Sequence, residues 1–240
     1  GPQEISLLKK VVAELASGHK VEALALAAES AMSVYYRLWG DKGSKLGFAS
    51  LEDAFNQLSK NPTILADLKE ILDWSLDTTE VSGRKPELPF PCPLELHAQY
   101  GIKDIQAALG KANLETAGQT GVGVIHFADL KAYVLLITFQ KTDKEFSPST
   151  MYADYPISRE LLHWESQANT AQHHNDGQNL IHHDERDYTI LVFARDQKKR
   201  NAVTVPFTYL GPVNRVSYES ERPIKMVWQL RHSGPVEMFE

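Results

Sequence analysis

The stretch "YTILVFARD", residues 188–196, gives the clearest indication of the fold. It is short, rich in β-branched and aromatic residues, and bounded by a polar turn residue, as β-strands commonly are. Five further segments have the same character and are separated by Gly, Pro, Asn and Asp: "VGVIHFAD" (122–129), "KAYVLLITFQK" (131–141), "AVTVPFTYLG" (202–211), "VNRVSYES" (213–220) and "IKMVWQL" (224–230). Together these strands predict a closed or nearly closed β-barrel flanked by helices.

The first third of the chain has helical periodicity instead. Four segments show it: "ISLLKKVVAELASG" (5–18), "VEALALAAESAMSVYYRLWG" (21–40), "SLEDAFNQLSKNP" (50–62, with Ser50 as the expected N-cap) and "TILADLKEILDWSL" (63–76). A proline-rich segment without periodicity follows, and then one more helical segment, "GIKDIQAALG" (101–110). We therefore predict an α+β protein with a helical connector bundle at 4–77, a linker at 78–90 and a barrel domain at 91–240.

Composition restricts the class of protein. The chain has 240 residues, of which 42% are hydrophobic and 23% charged, as in ordinary globular proteins. No apolar run approaches the roughly 18 residues of a membrane span, so no membrane partner is expected. The single cysteine, Cys92, excludes an internal disulfide and fits a reducing, cytoplasmic location. The opening Gly1-Pro2 resembles a protease-cleavage remnant, which suggests a fragment of a longer protein.

Charge is unevenly distributed along the chain. The net charge of −6 argues against a uniformly basic nucleic-acid surface. Residues 1–80 contain 8 Lys and Arg against 12 Asp and Glu, whereas residues 195–231 contain eight basic and three acidic residues. This basic stripe at 195–231 is either an ordinary solvated surface or a binding face.

Familiar catalytic arrangements are missing from the sequence. "GQTGVG" (118–123) lacks the lysine of a phosphate-binding loop, and no serine has the context of a nucleophile elbow. Cys92 lies between prolines, a poor environment for an activated thiol. The histidines of "HHNDGQNLIHHDE" (173–185) are expected in an irregular surface loop, where adjacent histidines point to opposite sides. We predict no enzyme activity, cofactor or metal for this chain.

Several motifs, in order along residues 91–232, resemble one bacterial family. They are "PLELHAQYGIKDIQAALG" (93–110), "FSPSTMYADYPISRELLHWESQ" (146–167), Gly177-Gln178, "LVFARD" (191–196) and "FTYLGPVNRVSYESERPIKMVWQL" (207–230). The most specific are the Tyr-x-Asp-Tyr-x-Ile-Ser…His-Trp-x-Ser-Gln run and the Leu-Gly-Pro-Val…Arg-Pro…Trp-x-Leu run. The family is the uncharacterised C-terminal domain of phospholipase D–helicase fusion proteins, the type IV, modification-dependent restriction enzymes of phage defence.

The resemblance implies a DNA-binding module. In such enzymes a nuclease cuts, a helicase translocates, and the C-terminal domain is similar to SRA and PUA-like barrels, which read a flipped-out base. Residues 58–76 resemble the helical connector of the same proteins. The expected partners are double-stranded DNA with 5-methyl- or 5-hydroxymethylcytosine, and the helicase and nuclease domains of the parent restriction enzyme. The candidate contacts to the DNA backbone are Arg195, Lys198, Lys199, Arg200, Arg215 and Arg222.

The stretch "MYADYPISRELLHWESQ" (151–167) concentrates the groups that a flipped cytosine requires. Aromatic rings replace lost stacking, a carboxylate accepts from the exocyclic amine, and amide or hydroxyl groups meet the remaining edge. The candidate pocket residues are Tyr152, Asp154, Tyr155, Trp164, Ser166 and Gln167. We expect Asp154 to be the principal reader, because loop residues more often face a ligand.

The same stretch also fits an amphipathic helix that begins at Ser158. Ile157, Leu161 and Trp164 would then share one face, with Trp164 in the core. Four other aromatic residues are expected in the barrel core: Tyr133, Phe139, Tyr209 and Trp228.

A second hypothesis for function stays open beside DNA reading. The chain would be a regulatory module that docks on its own helicase or forms a homodimer. The acidic bundle at 4–77 favours a protein-facing role for that part of the chain.

Overall fold

The computed structural model of the protein describes residues 1–22, 26, 29–78, 83–119, 123–140 and 154–239. The chain divides into two compact units, and the predicted α+β class is confirmed. The helical unit is Gly1–Lys85 with Pro91–Thr120, and the sheet unit is Pro86–Phe90 with Gly121–Glu240. None of the helices in the described ranges combines the length and apolar character that crossing a membrane requires.

The helical unit is built on the predicted helical segments. Its elements are α1 (Pro2–Ala16), α2 (Ala31–Trp39), α3 (Gly43–Leu46), α4 (Leu51–Asn56), a 3-10 turn (Gln57–Lys60), α5 (Pro62–Thr78), a short strand β1 (Gln99–Tyr100) and α6 (Ile102–Ala108). Ser50 is the N-cap of α4, as predicted, because its hydroxyl accepts from the Asp53 backbone N–H at 3.1 Å. Gly40 ends α2 in the left-handed conformation at a φ of 71°. Val11, Tyr35 and Phe55 are fully buried in the core of this unit.

Residues 91–119 belong to the helical unit, which differs from the predicted boundary near residue 90. The physical reason is the packing of α6 and the turn after it. Ala107 and Ala112 are buried in the helical core, and the Tyr36 hydroxyl donates to the carbonyl oxygens of Asn113 and Thr116 at 2.6 and 2.9 Å. The main segment of the sheet unit therefore begins near residue 121.

The sheet unit contains every predicted strand. Its elements are β2 (Val124–Phe127), β3 (Ala132–Gln140), β4 (Tyr155–Pro156), β5 (Leu161–Glu165), α7 (Asn175–Ile181), β6 (Thr189–Gln197), β7 (Lys199–Arg200), β8 (Val203–Thr204), β9 (Phe207–Glu219), β10 (Lys225–Leu230) and α8 (Val236–Phe239). The main sheet has the order β2-β3-β6-β9-β10-β5-β4, and β7 and β8 form a separate hairpin. β3 and β6 are parallel, whereas the other pairs in this order are antiparallel.

The sheet is open, so the predicted closed barrel is not formed. Within the described residues the strand order ends at β2 and β4, which do not pair with each other. The sheet nevertheless curves, because Leu135 of β3 and Trp164 of β5 share one core although three strands separate them. Leu180 and Ile181 of α7 fill the concave side. An amphipathic helix thus covers the apolar face that barrel closure would otherwise have buried.

Two of the predicted strands merge into the single strand β9. The Gly211-Pro212 pair suggests a break in the sequence, but the pairing with β6 continues across it through a bulge between Val192 and Phe193. Gly211 has a φ of 90°, a conformation that glycine adopts without strain. β9 therefore pairs with β6 along its first half and with β10 along its second.

The prediction of a helix that starts at Ser158 is wrong. The segment forms the β4–β5 hairpin instead. The Ser158 hydroxyl accepts from the backbone N–H groups of Glu160 and Leu161, both at 3.1 Å, and so stabilises a tight turn. Leu162 and Trp164 alternate with half-buried residues and face the core, which is the period of a strand. Ile157, Leu161 and Trp164 have helical spacing in the sequence, but the strand alternation of Leu162 and Trp164 is the pattern that the structure follows.

The His-rich segment forms α7 and its flanks rather than an irregular loop. His183 is buried, with 2% of its surface exposed. Its Nε2 accepts from the Arg215 backbone N–H at 3.2 Å, so its proton is on Nδ1, 3.3 Å from the Tyr188 carbonyl oxygen. Burial lowers the pKa of His183, against the opposing effect of Asp184. His183 is therefore held neutral, with both nitrogens used in tying α7 to the sheet.

We expect the stability of the sheet unit to fall as the pH drops below about 6.5, the ordinary pKa of histidine. The unfolded chain takes up a proton there, whereas folded His183 resists it because protonated Nε2 would face a donor. Thermal unfolding between pH 8 and pH 5 measures the effect. His183→Gln should flatten the pH dependence. If the thermal midpoint falls with pH equally in His183→Gln and in the parent chain, His183 is not the group responsible.

Candidate functional site

The sheet unit contains a pocket between the concave face of the sheet and α7. Its volume is about 80 Å³, several times what one ordered water requires. The lining combines aromatic, apolar and hydrogen-bonding side chains: Val124, His126, Tyr133, Trp164, Ser166, Gln167, Thr170, Asp176 and Leu180. A concave site of this mixed composition is suited to a small planar ligand with a polar edge.

Aromatic rings form two sides of the pocket. Trp164 is 3% exposed and packs against Trp228 at a centroid distance of 6.4 Å, so its ring is held by the core. His126 stacks on Tyr133, with centroids 4.3 Å apart and an interplanar angle of 4°. Tyr188 packs at the edge of this stacked pair. Rings fixed in this way offer flat apolar surfaces without losing rotamer freedom on binding.

The polar groups of the pocket differ in how many hydrogen bonds they already make within the protein. The Ser166 hydroxyl accepts from the Ile224 backbone N–H at 2.9 Å and lies 3.2 Å from the Thr170 carbonyl oxygen, so it mainly fixes the loop. The side-chain amide of Gln167 bonds to none of the described residues. Asp176 is exposed at the pocket rim, and its Oδ1 accepts from the Tyr133 hydroxyl at 2.6 Å. Gln167 and Asp176 are therefore the groups best placed to meet a polar ligand.

Three of the six predicted pocket residues line this pocket: Trp164, Ser166 and Gln167. Asp154 does not. It is buried at 8% exposure, and its Oδ1 accepts from the Glu165 backbone N–H at 3.0 Å, so it anchors the chain beside β5. Tyr155 stacks on His163, with centroids 4.6 Å apart, on the face of β5 opposite to Trp164. Tyr152 lies outside the described residues.

The sequence-based prediction missed several lining residues. Tyr133 was assigned to the core, and its ring is indeed buried, but its hydroxyl points to Asp176. Asp176 lies within the His-rich segment, directly before the Gly177-Gln178 of the family motifs. That proximity was the available signal for Asp176. His126 carried none, because a half-buried histidine in a strand is common in cores.

The predicted backbone-contact residues fall into three groups. Arg195 is buried and bonded, with Nε donating to the Thr138 hydroxyl at 2.9 Å and its guanidinium 4.1 Å from the Phe207 ring centroid, which makes it part of the core. Arg215 and Arg222 donate to main-chain carbonyls of Ile181 and Ala168, both at 2.6 Å.

The third group lies on or next to the β7–β8 hairpin. Lys199 and Arg200 are exposed on β7, and Lys198 precedes them. Asn201 and Ala202 form the turn with positive φ angles, which matches the twist of a tight hairpin. Arg200 pairs with Asp196 at 2.5 Å, an exposed contact that leaves the guanidinium at the surface. The hairpin is therefore an exposed basic element.

No group of three or more His, Cys, Asp or Glu side chains with the geometry of a metal site occurs in the described ranges. Cys92 is buried, and burial raises its pKa to about 11, so the thiol is protonated at neutral pH. The chemistry that the described pocket offers is stacking and hydrogen bonding.

An open mixed sheet that holds a small aromatic and polar pocket places the chain among α+β proteins with a ligand-sized cleft. The chain belongs to the DUF3427 family, described as a domain of unknown function, whose sequence profile matches residues 94–240. The match agrees with the region in which the family motifs were found.

Comparison with other proteins adds only remote likenesses. No curated protein matches the sequence. Two crystal structures of SUVH6 from Arabidopsis thaliana in complex with SAM, forms 2 and 1, are 11% and 12% identical, each with a TM-score of 0.36. Each alignment covers 97% of this chain and 40% of the SUVH6 chain, so the protein spans about two fifths of the length of those chains.

Proposed function

We propose that the sheet unit binds double-stranded DNA that carries a modified cytosine and holds that base, flipped out of the duplex, in the pocket. The observation that carries the proposal is the joint presence of fixed aromatic faces, a rim carboxylate and a side-chain amide in one cleft. Flipping a base loses a few kcal/mol of stacking and pairing, and a pocket must replace both.

The pocket offers a counterpart for each part of the base. Trp164 and the His126–Tyr133 pair supply stacking surfaces, worth about 1–3 kcal/mol per base. Asp176 accepts from the exocyclic amine and Gln167 meets the neighbouring polar atoms. Val124 and Leu180 form an apolar surface for a 5-methyl group. Asp176 takes the role that the sequence suggested for Asp154.

The basic hairpin supplies the contacts to the backbone. Lys199 and Arg200 are exposed and Lys198 is partly exposed beside them, so phosphates can approach these residues without desolvating a fully buried charge. Within the proposal, the chain recognises DNA and carries out no chemistry itself. Nuclease and helicase domains of a parent restriction enzyme would act on the DNA that this module has found.

The experiment is a mobility-shift titration with three duplexes of one sequence that contain cytosine, 5-methylcytosine or 5-hydroxymethylcytosine at one position. The modified duplexes should bind more tightly. One buried methyl group is worth about 0.8 kcal/mol, so the preference for 5-methylcytosine should be about fourfold from that group alone. Equal binding of all three duplexes at every salt concentration would refute the proposal.

A surface on α5 favours a protein partner for the helical unit as a second function. Ile64, Ile71 and Trp74 are 48%, 57% and 68% exposed and recur along one side of the helix. Exposed apolar residues grouped in this way commonly mark contacts with other proteins. This function, docking on the helicase or dimerisation, is compatible with DNA reading by the sheet unit. If docking were the sole function, the mobility-shift titration would show no preference among duplexes.

A further inference from the structure

A chain of hydrogen bonds runs from the surface of the sheet unit to the pocket rim. Arg186 Nη1 donates to Asn179 Oδ1 at 2.8 Å, and Asn179 Nδ2 donates to the Tyr133 hydroxyl at 3.1 Å. The Tyr133 hydroxyl in turn donates to Asp176 Oδ1 at 2.6 Å. Asn179 and Tyr133 are buried, at 3% and 1% exposure, whereas Arg186 and Asp176 are exposed at the two ends. Two surface charges are therefore joined through the core.

The direction of this chain is fixed by its first member. A guanidinium can only donate, so the Asn179 carbonyl oxygen must face Arg186 and its NH₂ group must face Tyr133. The phenol oxygen accepts from that NH₂ group, and its single proton points to Asp176. Burial, followed by the bond to Asp176, raises the pKa of Tyr133, so the phenol keeps this proton at neutral pH. Reversing the direction would require an acceptor in place of Arg186.

The consequence for Asp176 is a fixed orientation. Its Oδ1 is committed to Tyr133, which leaves Oδ2 as the acceptor for a ligand in the pocket. We infer that Arg186, Asn179 and Tyr133 are positioning residues that present Asp176 as a directed acceptor and so restrict the ligand to bases with an exocyclic amine. This inference rests on the proposed function, because it assigns the edge that the same pocket reads.

The selection between bases follows from whether the base presents a hydrogen-bond donor or an acceptor to Asp176. Cytosine presents an N4 amine, a donor, where thymine presents the O4 oxygen, an acceptor. A carboxylate oxygen attracts the first and repels the second. 5-Methylcytosine and thymine have the same 5-methyl group and ring shape and differ along this edge, at N3 and at the 4-position. Thymine opposite guanine is mismatched and flips at lower cost, but that cost is the same for parent and variants, so a change in the ratio between them reports on the edge.

The test uses duplexes that carry 5-methylcytosine or thymine opposite the same guanine. The parent protein should prefer 5-methylcytosine. Arg186→Lys keeps a donor and should preserve the preference. Arg186→Glu offers only an acceptor, so the Asn179 amide should turn over and draw the Tyr133 proton away from Asp176. Arg186→Glu and Tyr133→Phe should each reduce the preference about threefold to tenfold, the range for losing one hydrogen bond.

Controls separate positioning from a general loss of charge or stability. Arg231 bonds Asn214 Oδ1 at 2.8 and 3.0 Å, an Arg–Asn pair outside the pocket, so Arg231→Glu should leave the preference unchanged. Thermal midpoints show whether a variant is folded. If the parent binds modified and plain cytosine equally, the proposed function fails. If the parent discriminates, yet Arg186→Glu and Tyr133→Phe both retain the parental ratio of 5-methylcytosine to thymine, the inference about the relay fails and the proposed function stands.

Discussion

Asp176→Asn should weaken binding to a modified duplex by about 1–3 kcal/mol and leave the thermal midpoint close to that of the parent. The substitution replaces one carboxylate oxygen by an NH₂ donor that opposes the cytosine amine, with little change in volume. Asp176 is exposed, so its loss of charge does not disturb the core. Titrations on modified and plain duplexes, together with a thermal melt, measure both quantities on one sample.

Asp154 provides the matched comparison within the same unit. Asp154→Ala removes the acceptor for the Glu165 backbone N–H and should lower the free energy of unfolding by about 1–3 kcal/mol. Discrimination between modified and plain DNA should persist in the folded fraction. Asp154→Asn keeps an acceptor oxygen and should lie nearer to the parent in stability. A stable Asp154→Ala protein that does not discriminate would return the role of reader to Asp154.

Replacing Lys198, Lys199 and Arg200 together by Ala should weaken binding to modified and unmodified DNA alike. For every phosphate that the variant no longer neutralises, the negative slope of log affinity against log salt should become less steep by about 0.9, so the variant should become much less sensitive to salt. Arg195 is left out of the set because its guanidinium is bonded within the core. The measurement is a titration of both duplexes from low to moderate salt.

The matched control removes the same charge from the helical unit. Lys10, Lys60 and Lys69 are all exposed on that unit, and their replacement by Ala should leave the salt slope unaltered. If the control triple changes the slope and the hairpin triple does not, the DNA lies against the helical unit instead. Equal ratios of modified to plain binding in both triples are expected, because phosphate contacts carry no base information.

Most of the fold could be predicted from local pattern. The six strand segments and the helices of residues 4–77 followed from apolar periodicity and from turn residues, and Ser50 followed from capping preference. Closure of the sheet could not be predicted in this way, because it depends on which strands pair at long range. The sheet stays open because β3 pairs in parallel with β6 and α7 packs against the concave face.

The positions of Asp154 and Tyr155 away from the described pocket have one local cause. Between Ile157 and Trp164 the apolar residues satisfy a helical spacing and a strand alternation at once, and only the burial of Leu162 with Trp164 separates them. Once the segment is a hairpin, Tyr155 turns away from Trp164 and Asp154 becomes an anchor. Asp176 was a separate omission: it directly precedes Gly177-Gln178 of the family motifs, but the helix that carries it looked like a surface loop.

The parallel pairing of β3 with β6 also bears on how the protein acquires its binding competence during folding. Partners such as Tyr133 and Ile190 are far apart in the chain, and such long-range pairings form slowly. Trp164, Gln167 and Asp176 all lie in the connection between these two strands. The two halves of the pocket therefore meet only after such long-range pairings have formed. Recovery of DNA binding during refolding should lag behind the return of helical signal, so circular dichroism recorded during refolding would overstate the fraction able to bind.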